Sequence, residues 1–191
     1  ATATPAERVE LLLEEIEAEA LSTEKARLWQ EVAHVYERDL HDRENAAVAL
    51  TEAVTASPAD DTLIDELTRL LGDDTAHWND AVNSLSEAAK ERDAQDQLPL
   101  YKLAGRWYLE RLKRQDFALA CFTAAIKLAP NDDEALAGAE SVYRKQSQWP
   151  ELVGTLLKRA DARADDATAR ALRAEAADVL ESKLNETVKA R

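Results

Sequence analysis

The chain has 191 residues, enough for one ordinary domain or a short array of repeats, and its 24 Lys and Arg against 38 Asp and Glu give a formal net charge of −14. This excess of acid argues against a nucleic-acid-binding groove, which needs a dense basic surface to contact phosphates. Only four Gly and five Pro are present. Because turn-forming residues are so few, the composition predicts an all-α protein.

The negative charge is concentrated in the N-terminal half. Residues 1–95 contain 23 acidic and 8 basic side chains, a net charge of −15, whereas residues 96–191 contain 15 and 16, a net charge of +1. We therefore expect the two halves to differ in the partners that they attract, with an acidic peptide repelled by the first half and tolerated by the second.

Membrane and secretory signals are missing from the sequence. No stretch approaches the roughly 20 apolar residues of a membrane helix, and the N-terminus lacks the basic and then apolar run of a signal peptide. Cys121 has no second cysteine with which to form an internal disulfide. We expect a soluble protein without membrane insertion. The first residue is Ala, which favours a segment of a larger protein, and the compartment stays open, with the cytoplasm slightly favoured.

Apolar residues three or four positions apart predict about nine helices. Pro58 and Pro130 are placed to end helices, and Thr23, Asp60 and Asp132 are candidate N-caps. In chain order, the predicted segments are an unpaired helix at 5–21, antiparallel helix pairs at 23–58, 60–92, 96–130 and 132–163, and a terminal helix at 166–187.

The chain repeats itself at an offset of 72 residues. Segments 28–61 and 100–133 align without a gap, so that Tyr36 matches Tyr108 and Pro58 matches Pro130. Small residues recur at the same offset, as Ala33, Gly105 and Ala177, where we expect the two helices of a pair to approach closely. A solenoid of this kind buries its core only by stacking neighbouring pairs.

The aromatic and small residues of each copy resemble the tetratricopeptide repeat, a helix–turn–helix unit of 34 residues. In segment 98–131 the matching residues are Tyr101, Ala104, Gly105, Tyr108, Ala118, Phe122, Ala125 and Pro130, and in 26–59 they are Trp29, Val32, Ala33, Tyr36, Ala46, Leu50, Ala53 and Pro58. The pairs 60–92 and 132–163 match more loosely and lack the closing proline. The resemblance implies one divergent array over residues 1–191, folded as a right-handed superhelical solenoid.

The resemblance also implies where a partner would bind. Tetratricopeptide proteins hold a peptide or helix in the concave groove that is lined by the first helices of the pairs. The groove candidates carried over are Arg27, Gln30, His34, Arg38, Arg69, Lys102, Arg106, Arg144 and Lys145, together with Glu37, Asp65, Glu110, Glu134, Ser141, Asp178 and Glu181. Trp107 and Leu109 are further candidates, as side chains that would contact an apolar residue of the partner. For Trp107 the alternative is that it fills a gap between neighbouring first helices. A two-carboxylate clamp for acidic chaperone tails is disfavoured, because Gln30, His34 and Glu66 stand where that clamp requires asparagines.

Catalytic chemistry has little support in the sequence. His34, His41 and His77 form no ligand pattern with other residues, Cys121 stands in an apolar run, and no glycine-rich phosphate loop is present. We therefore expect no enzyme activity, no metal and no cofactor.

Two functions fit these observations. One is a protein-interaction module that binds a peptide or helix of a partner protein in its groove. The other is an assembly scaffold that stacks through its end helices, which includes a homo-oligomer. Exposed apolar residues on the end helices would favour the scaffold, and a contiguous groove patch with Lys102, Arg106 and Arg144 would favour the peptide binder.

Overall fold

The computed structural model describes residues 3–163 and 165–184. Of these described residues 82% are helical and none is in a strand, so the prediction of an all-α chain is confirmed. The ten α-helices are α1 (Pro5–Ala18), α2 (Ser22–His34), α3 (Arg43–Ala56), α4 (Asp61–Leu71), α5 (Thr75–Lys90), α6 (Ala94–Glu110), α7 (Gln115–Leu128), α8 (Asp133–Lys145), α9 (Trp149–Asp161) and α10 (Asp166–Val179). π-Helical turns extend α2 over Val35–Asp39 and α10 over Leu180–Leu184.

The described part of the chain holds one more helix than the nine predicted. The predicted segments, namely the unpaired helix, the four pairs and the terminal helix, already amount to ten helices. Each observed helix lies within one of those segments or extends at most about two residues beyond it. The end of the terminal segment, residues 185–187, falls outside the described residues.

Aspartate side chains begin several helices. Asp60 accepts hydrogen bonds from the backbone N–H groups of Thr62 and Leu63, and Asp132 accepts one from Ala135, which confirms both as N-caps. The prediction for Thr23 is wrong, because α2 already begins at Ser22, one residue earlier in the chain.

The turn inside each helix pair contains one residue in the left-handed region of the backbone. These residues are His41 (φ 53°), Gly72 (φ 56°), Lys113 (φ 56°) and Ser147 (φ 57°). Only one of the four is glycine, which adopts this conformation at the lowest cost. The four residues therefore share a positive φ, which the sequence suggests only at Gly72.

The chain divides into two compact units, residues 1–92 and 93–191. In the first unit, α2 and α3 pack side by side, joined by a short turn, as an antiparallel pair. Helix α1 packs on α2 through Val9, Leu12 and Ile16, and α3 also contacts α4 and α5. In this unit the closest backbone neighbour of α5 is α3, and Trp78 of α5 donates a hydrogen bond to the carbonyl of Gly72 at 2.8 Å.

In the second unit, α6 pairs with α7 and α8 with α9, and α10 packs on α9. The α9–α10 contact buries Leu152, Leu156, Leu172 and Ala176, with Trp149 packed at its edge. Ala177 does not occupy a close helix contact as its counterparts do: Ala33 and Gly105 are buried, whereas Ala177 is exposed. The physical reason is that α10 turns its other face, with Ala176, toward α9.

Candidate functional site

The candidate groove residues lie on the first helices of the pairs, α2 and α4 in the first unit and α6, α8 and α10 in the second. We call the polar surfaces of these helices the first-helix faces, one in each unit. On these faces, hydrogen bonds and ion pairs join side chains of neighbouring first helices that are 28 to 36 residues apart in the sequence. The two faces differ in composition and are described in turn.

On the first face, Glu66 of α4 receives two side chains of α2. Gln30 Nε2 donates to its Oε2 at 2.7 Å, and the second carboxylate oxygen lies 2.6 Å from His34 Nε2. The three residues that exclude a chaperone-tail clamp therefore form one hydrogen-bonded cluster. Its polar atoms are already engaged within the chain.

A second pair follows one turn further along the same face. Both terminal nitrogens of Arg69 donate to the two carboxylate oxygens of Glu37, at 2.9 and 2.8 Å. This bidentate hydrogen bond holds the pKa of Glu37 below its usual range. Arg69 is thereby held across the face, with its guanidinium still exposed.

Two other candidates on α2 and its π-helical turn do not reach α4. Arg27 pairs with Glu24 and Glu31 of its own helix. Arg38 is exposed and lines a shallow depression together with Arg8 of α1 and His34.

On the second face, Lys102 and Arg106 of α6 both approach α8. The Lys102 ammonium lies 2.9 Å from Glu134 and 3.2 Å from Asp132, and Arg106 lies 3.9 Å from Glu134. Burial alone would lower the pKa of Lys102, but its hydrogen bonds to Glu134 and Asp132 raise it above the usual value. The cation of Lys102 is thus matched by two acids of its own chain.

The next link of this face joins α8 to α10. Arg144 hydrogen bonds with Glu175 of α10 and, at 2.8 Å, with Glu140 of its own helix. Glu140 also accepts a hydrogen bond from Arg159 of α9, which in turn donates to Asp133 at 2.9 Å. Glu140 is only 7% exposed, so this carboxylate joins α8 to α9 from a buried position, while Arg144 extends the link to α10. Lys145, the next residue after Arg144, is exposed.

Two of the predicted groove residues are not surface groups. Trp107 is 3% exposed and Leu109 is 9% exposed, so neither offers a partner a usable apolar contact. Trp107, Tyr108 and Leu109 are three consecutive buried residues and, at about 100° per residue, span roughly 200° of the helix, so α6 is covered on more than one side. The polar candidates of the second face lie together on α6, α8 and α10. Trp107 and Leu109 are not part of that surface.

The sequence placed Glu66 at a groove position without predicting its partners, and it did not assign Glu175 to the groove. A regular spacing could have revealed these contacts. Several side chains that pair across neighbouring first helices are 31 or 32 residues apart in the sequence, which is about the length of one helix pair. His34 with Glu66, Glu37 with Arg69, Lys102 with Glu134 and Arg144 with Glu175 all follow this spacing.

A metal site or a reactive nucleophile would each require a specific arrangement of side chains. Among the described residues no three His, Cys, Asp or Glu side chains come close enough together to hold a metal ion. Burial raises the pKa of the Cys121 thiol to about 11, which keeps it in the unreactive thiol form at neutral pH. None of the helices in the described ranges is both long and apolar enough to cross a membrane.

No family model matches the chain, and no curated protein matches it. Two crystal structures of MamA are similar, each at 17% sequence identity. The alignment with the first covers 86% of this chain and 92% of the MamA chain, with a TM-score of 0.43. The alignment with the second covers 82% of this chain and 95% of the MamA chain, with a TM-score of 0.38. The equivalent helices and the 72-residue offset make this chain a helical-repeat protein.

Proposed function

We propose that this chain is a non-enzymatic protein-interaction module of the tetratricopeptide type. A peptide or helix of a partner protein would lie across the first-helix face of the second unit. The observation that carries the proposal is the row of ion pairs from α6 through α8 to α10, which places charges of both signs on one surface, with Arg106, Glu134, Arg144 and Glu175 partly exposed. Arg106 is 42% exposed on its side chain and its contact with Glu134 is long, so its guanidinium has donors to offer.

The partner chemistry follows from these pairs. Lys102 and Arg144 are engaged by acids of their own chain, so an acidic partner segment must compete with Glu134 and Glu175 for them. Exposed contacts of this kind contribute about 0.2–1 kcal/mol each and weaken with salt. Charge therefore sets the orientation and the on-rate, and the affinity must come from apolar contacts around the face.

The proposal is tested with a photo-crosslinking amino acid at Lys145, on the second face, and at Lys127 of α7 as the matched control; both lysines are exposed and lie near a helix end. An extract of the source cell is irradiated with each variant, and adducts are identified by mass spectrometry. We expect a protein that is captured from position 145 but not from 127, and lost when Arg106→Glu is added. Capture from both positions alike, or from neither, would contradict the proposal.

A second candidate function, the assembly scaffold, is favoured by the end helices. Leu11 of α1 is 54% exposed, Leu21 after it is 65% exposed, and Leu180 after α10 is 44% exposed. Apolar side chains in such positions would be covered if an end helix stacks on a neighbouring segment or on a second copy.

Sedimentation velocity between about 5 and 500 μM separates the two functions. The scaffold predicts association of the wild-type chain that is lost in Leu11→Glu/Leu180→Glu and retained in the control Leu157→Glu, which changes a similarly exposed leucine of α9. A wild-type chain that stays monomeric at all concentrations would contradict the scaffold and leave the interaction module as the proposed function.

A further inference from the structure

Helices α3 and α5 of the first unit leave a cleft between them, which we call the α3–α5 cleft. On each helix the lining residues recur at positions i, i+3, i+4 and i+7, which places each set on one helix face. The two sets are Glu44, Ala47, Val48 and Thr51 of α3, and His77, Asp80, Ala81 and Ser84 of α5. At 1.5 Å per residue the cleft follows both helices for about 10 Å.

The floor of the cleft is apolar because small side chains face each other. Ala47, Ala81 and Leu71 are buried there, and the hydroxyl of Thr51 donates to the carbonyl of Ala47 at 2.8 Å. No polar group of the floor thus requires a water molecule. Val48 stands at the rim and is 57% exposed. An aliphatic side chain placed on this floor would cover Val48 and gain apolar burial on both walls.

The rim of the cleft is acidic. Glu44 and Asp80 are exposed on opposite walls, and the cleft continues past Leu71 and His77 to Asp73 in the turn between α4 and α5. Within the described ranges no basic side chain pairs with any of these three acids. Arg43 lies at the same end, but its guanidinium donates to the carbonyl of Leu70. Arg43 keeps its positive charge there, so the cleft combines an apolar floor with a rim on which the exposed acids Glu44, Asp80 and Asp73 outnumber this one arginine.

The apolar floor and the acidic rim together indicate which kind of partner segment the cleft would bind. Residues 1–95 carry a net charge of −15, so an acidic segment is repelled, and a second copy of this chain, at −14, is disfavoured for the same reason. A cationic segment is attracted to the rim, and an apolar side chain within it fits the floor. Two helical turns of cleft suit a short segment rather than a whole domain.

We propose that the α3–α5 cleft binds a short basic amphipathic segment of a partner protein. One aliphatic side chain of that segment lies on the floor beside Val48, and Lys or Arg side chains on either side pair with Glu44, Asp80 and Asp73. The cleft is formed by the second helices, so this interaction is separate from the one proposed for the first-helix faces.

The test is a selection that presumes no sequence. A phage library of random 12-residue peptides is selected on the wild-type chain and counter-selected on Ser84→Trp, which fills the cleft from an exposed position. We expect the surviving peptides to combine Lys or Arg with a central Leu, Ile, Val or Met. The synthetic peptide should bind the wild-type chain and lose about tenfold or more in affinity on Ser84→Trp.

Charge variants show whether the attraction is local. Glu44→Gln/Asp80→Asn should weaken the peptide about fivefold, whereas Glu14→Gln/Glu17→Gln, with the same change in net charge on exposed positions of α1, should change it less than twofold. Circular dichroism confirms that all variants remain folded. The proposal would be overturned if both double variants weakened the peptide equally. It would also be overturned if the selected peptides were acidic, or if no peptide distinguished the wild-type chain from Ser84→Trp.

Discussion

The ring of Phe122 in α7 lies so close to Gly138 of α8 that a Cβ atom built on the glycine would be 2.4 Å from it. On its other side the same ring faces Gly105 of α6, where a Cβ would be 2.8 Å away. Contacts below 3.0 Å require the ring or a helix to move. Two glycines thus make the space into which one aromatic side chain fits between three helices.

Gly138→Ala should destabilise the second unit by about 1–3 kcal/mol, because the added methyl group overpacks the site and outweighs the gain in helix propensity. The matched control is Gly154→Ala in α9, where no atom lies within 4 Å of the added carbon. That variant should stabilise by about 0.5–1 kcal/mol. Chemical denaturation measures both, and equal changes in the two variants would contradict the packing described here.

The same reasoning applies to Gly105, where a leucine is larger still. Gly105→Leu should cost roughly 1–3 kcal/mol through overpacking. Combining Gly138→Ala with Phe122→Leu should recover part of the loss, since the first unit holds Leu50 at the equivalent position. The thermal midpoint of the double variant, compared with those of the single variants, checks this coupling.

Glu140→Leu should destabilise by about 3–4 kcal/mol, because Arg144 and Arg159 lose a buried partner and Arg159 keeps only Asp133. The control is Glu87→Leu, which removes the exposed pair with Lys90 and should change stability by less than about 1 kcal/mol. Denaturant titration gives both values. A small effect at Glu140 would show that its bridge contributes little.

Acid should weaken the fold through Asp133. Hydrogen bonds from Arg159 lower the pKa of Asp133 in the folded chain, so its stabilisation is present above the unfolded value near 4 and is lost as pH falls through the lowered folded value. We expect the unfolding free energy to fall below about pH 4, and to fall less steeply in Asp133→Asn. An acid dependence in Asp133→Asn as steep as that of the wild-type chain would contradict this role of Asp133.

Cys121 should resist thiol reagents in the folded chain, since it is buried and its pKa is raised to about 11. At pH 8 we expect its reaction with dithionitrobenzoate to be complete only after denaturation. Ser84→Cys in a Cys121→Ala background, with the thiol at an exposed position, should react within the mixing time. Rapid reaction of the native wild-type thiol would show that α7 opens readily.

The helices were predictable because they depend on local patterns. Leucines and alanines three or four apart mark every buried face, and Asp60 and Asp132 identify helix starts. The turn conformation was less accessible, since His41, Lys113 and Ser147 adopt a left-handed backbone for which glycine is the usual sign.

The candidate site was only partly predictable. Helix periodicity assigns Gln30, Lys102 and Arg144 to the polar sides of their helices, but their partners lie about one helix pair away and depend on how neighbouring helices are aligned. Trp107 was assigned to the groove because aromatic residues anchor interfaces, yet the packing of α6 buries it. The α3–α5 cleft left no recognisable pattern, since its floor consists of small residues that also suit ordinary helix contacts.

The space around Phe122 limits the order in which the two copies could have diverged from one another. The first unit has Ala33, Leu50 and Glu66 where the second has Gly105, Phe122 and Gly138. A stepwise route from the first set to the second must introduce the glycines before the phenyl ring, because the ring clashes with any Cβ at position 138. Historical reconstruction of such repeats should therefore find intermediates with paired glycines and a smaller residue between them, and no intermediates in which the ring came first.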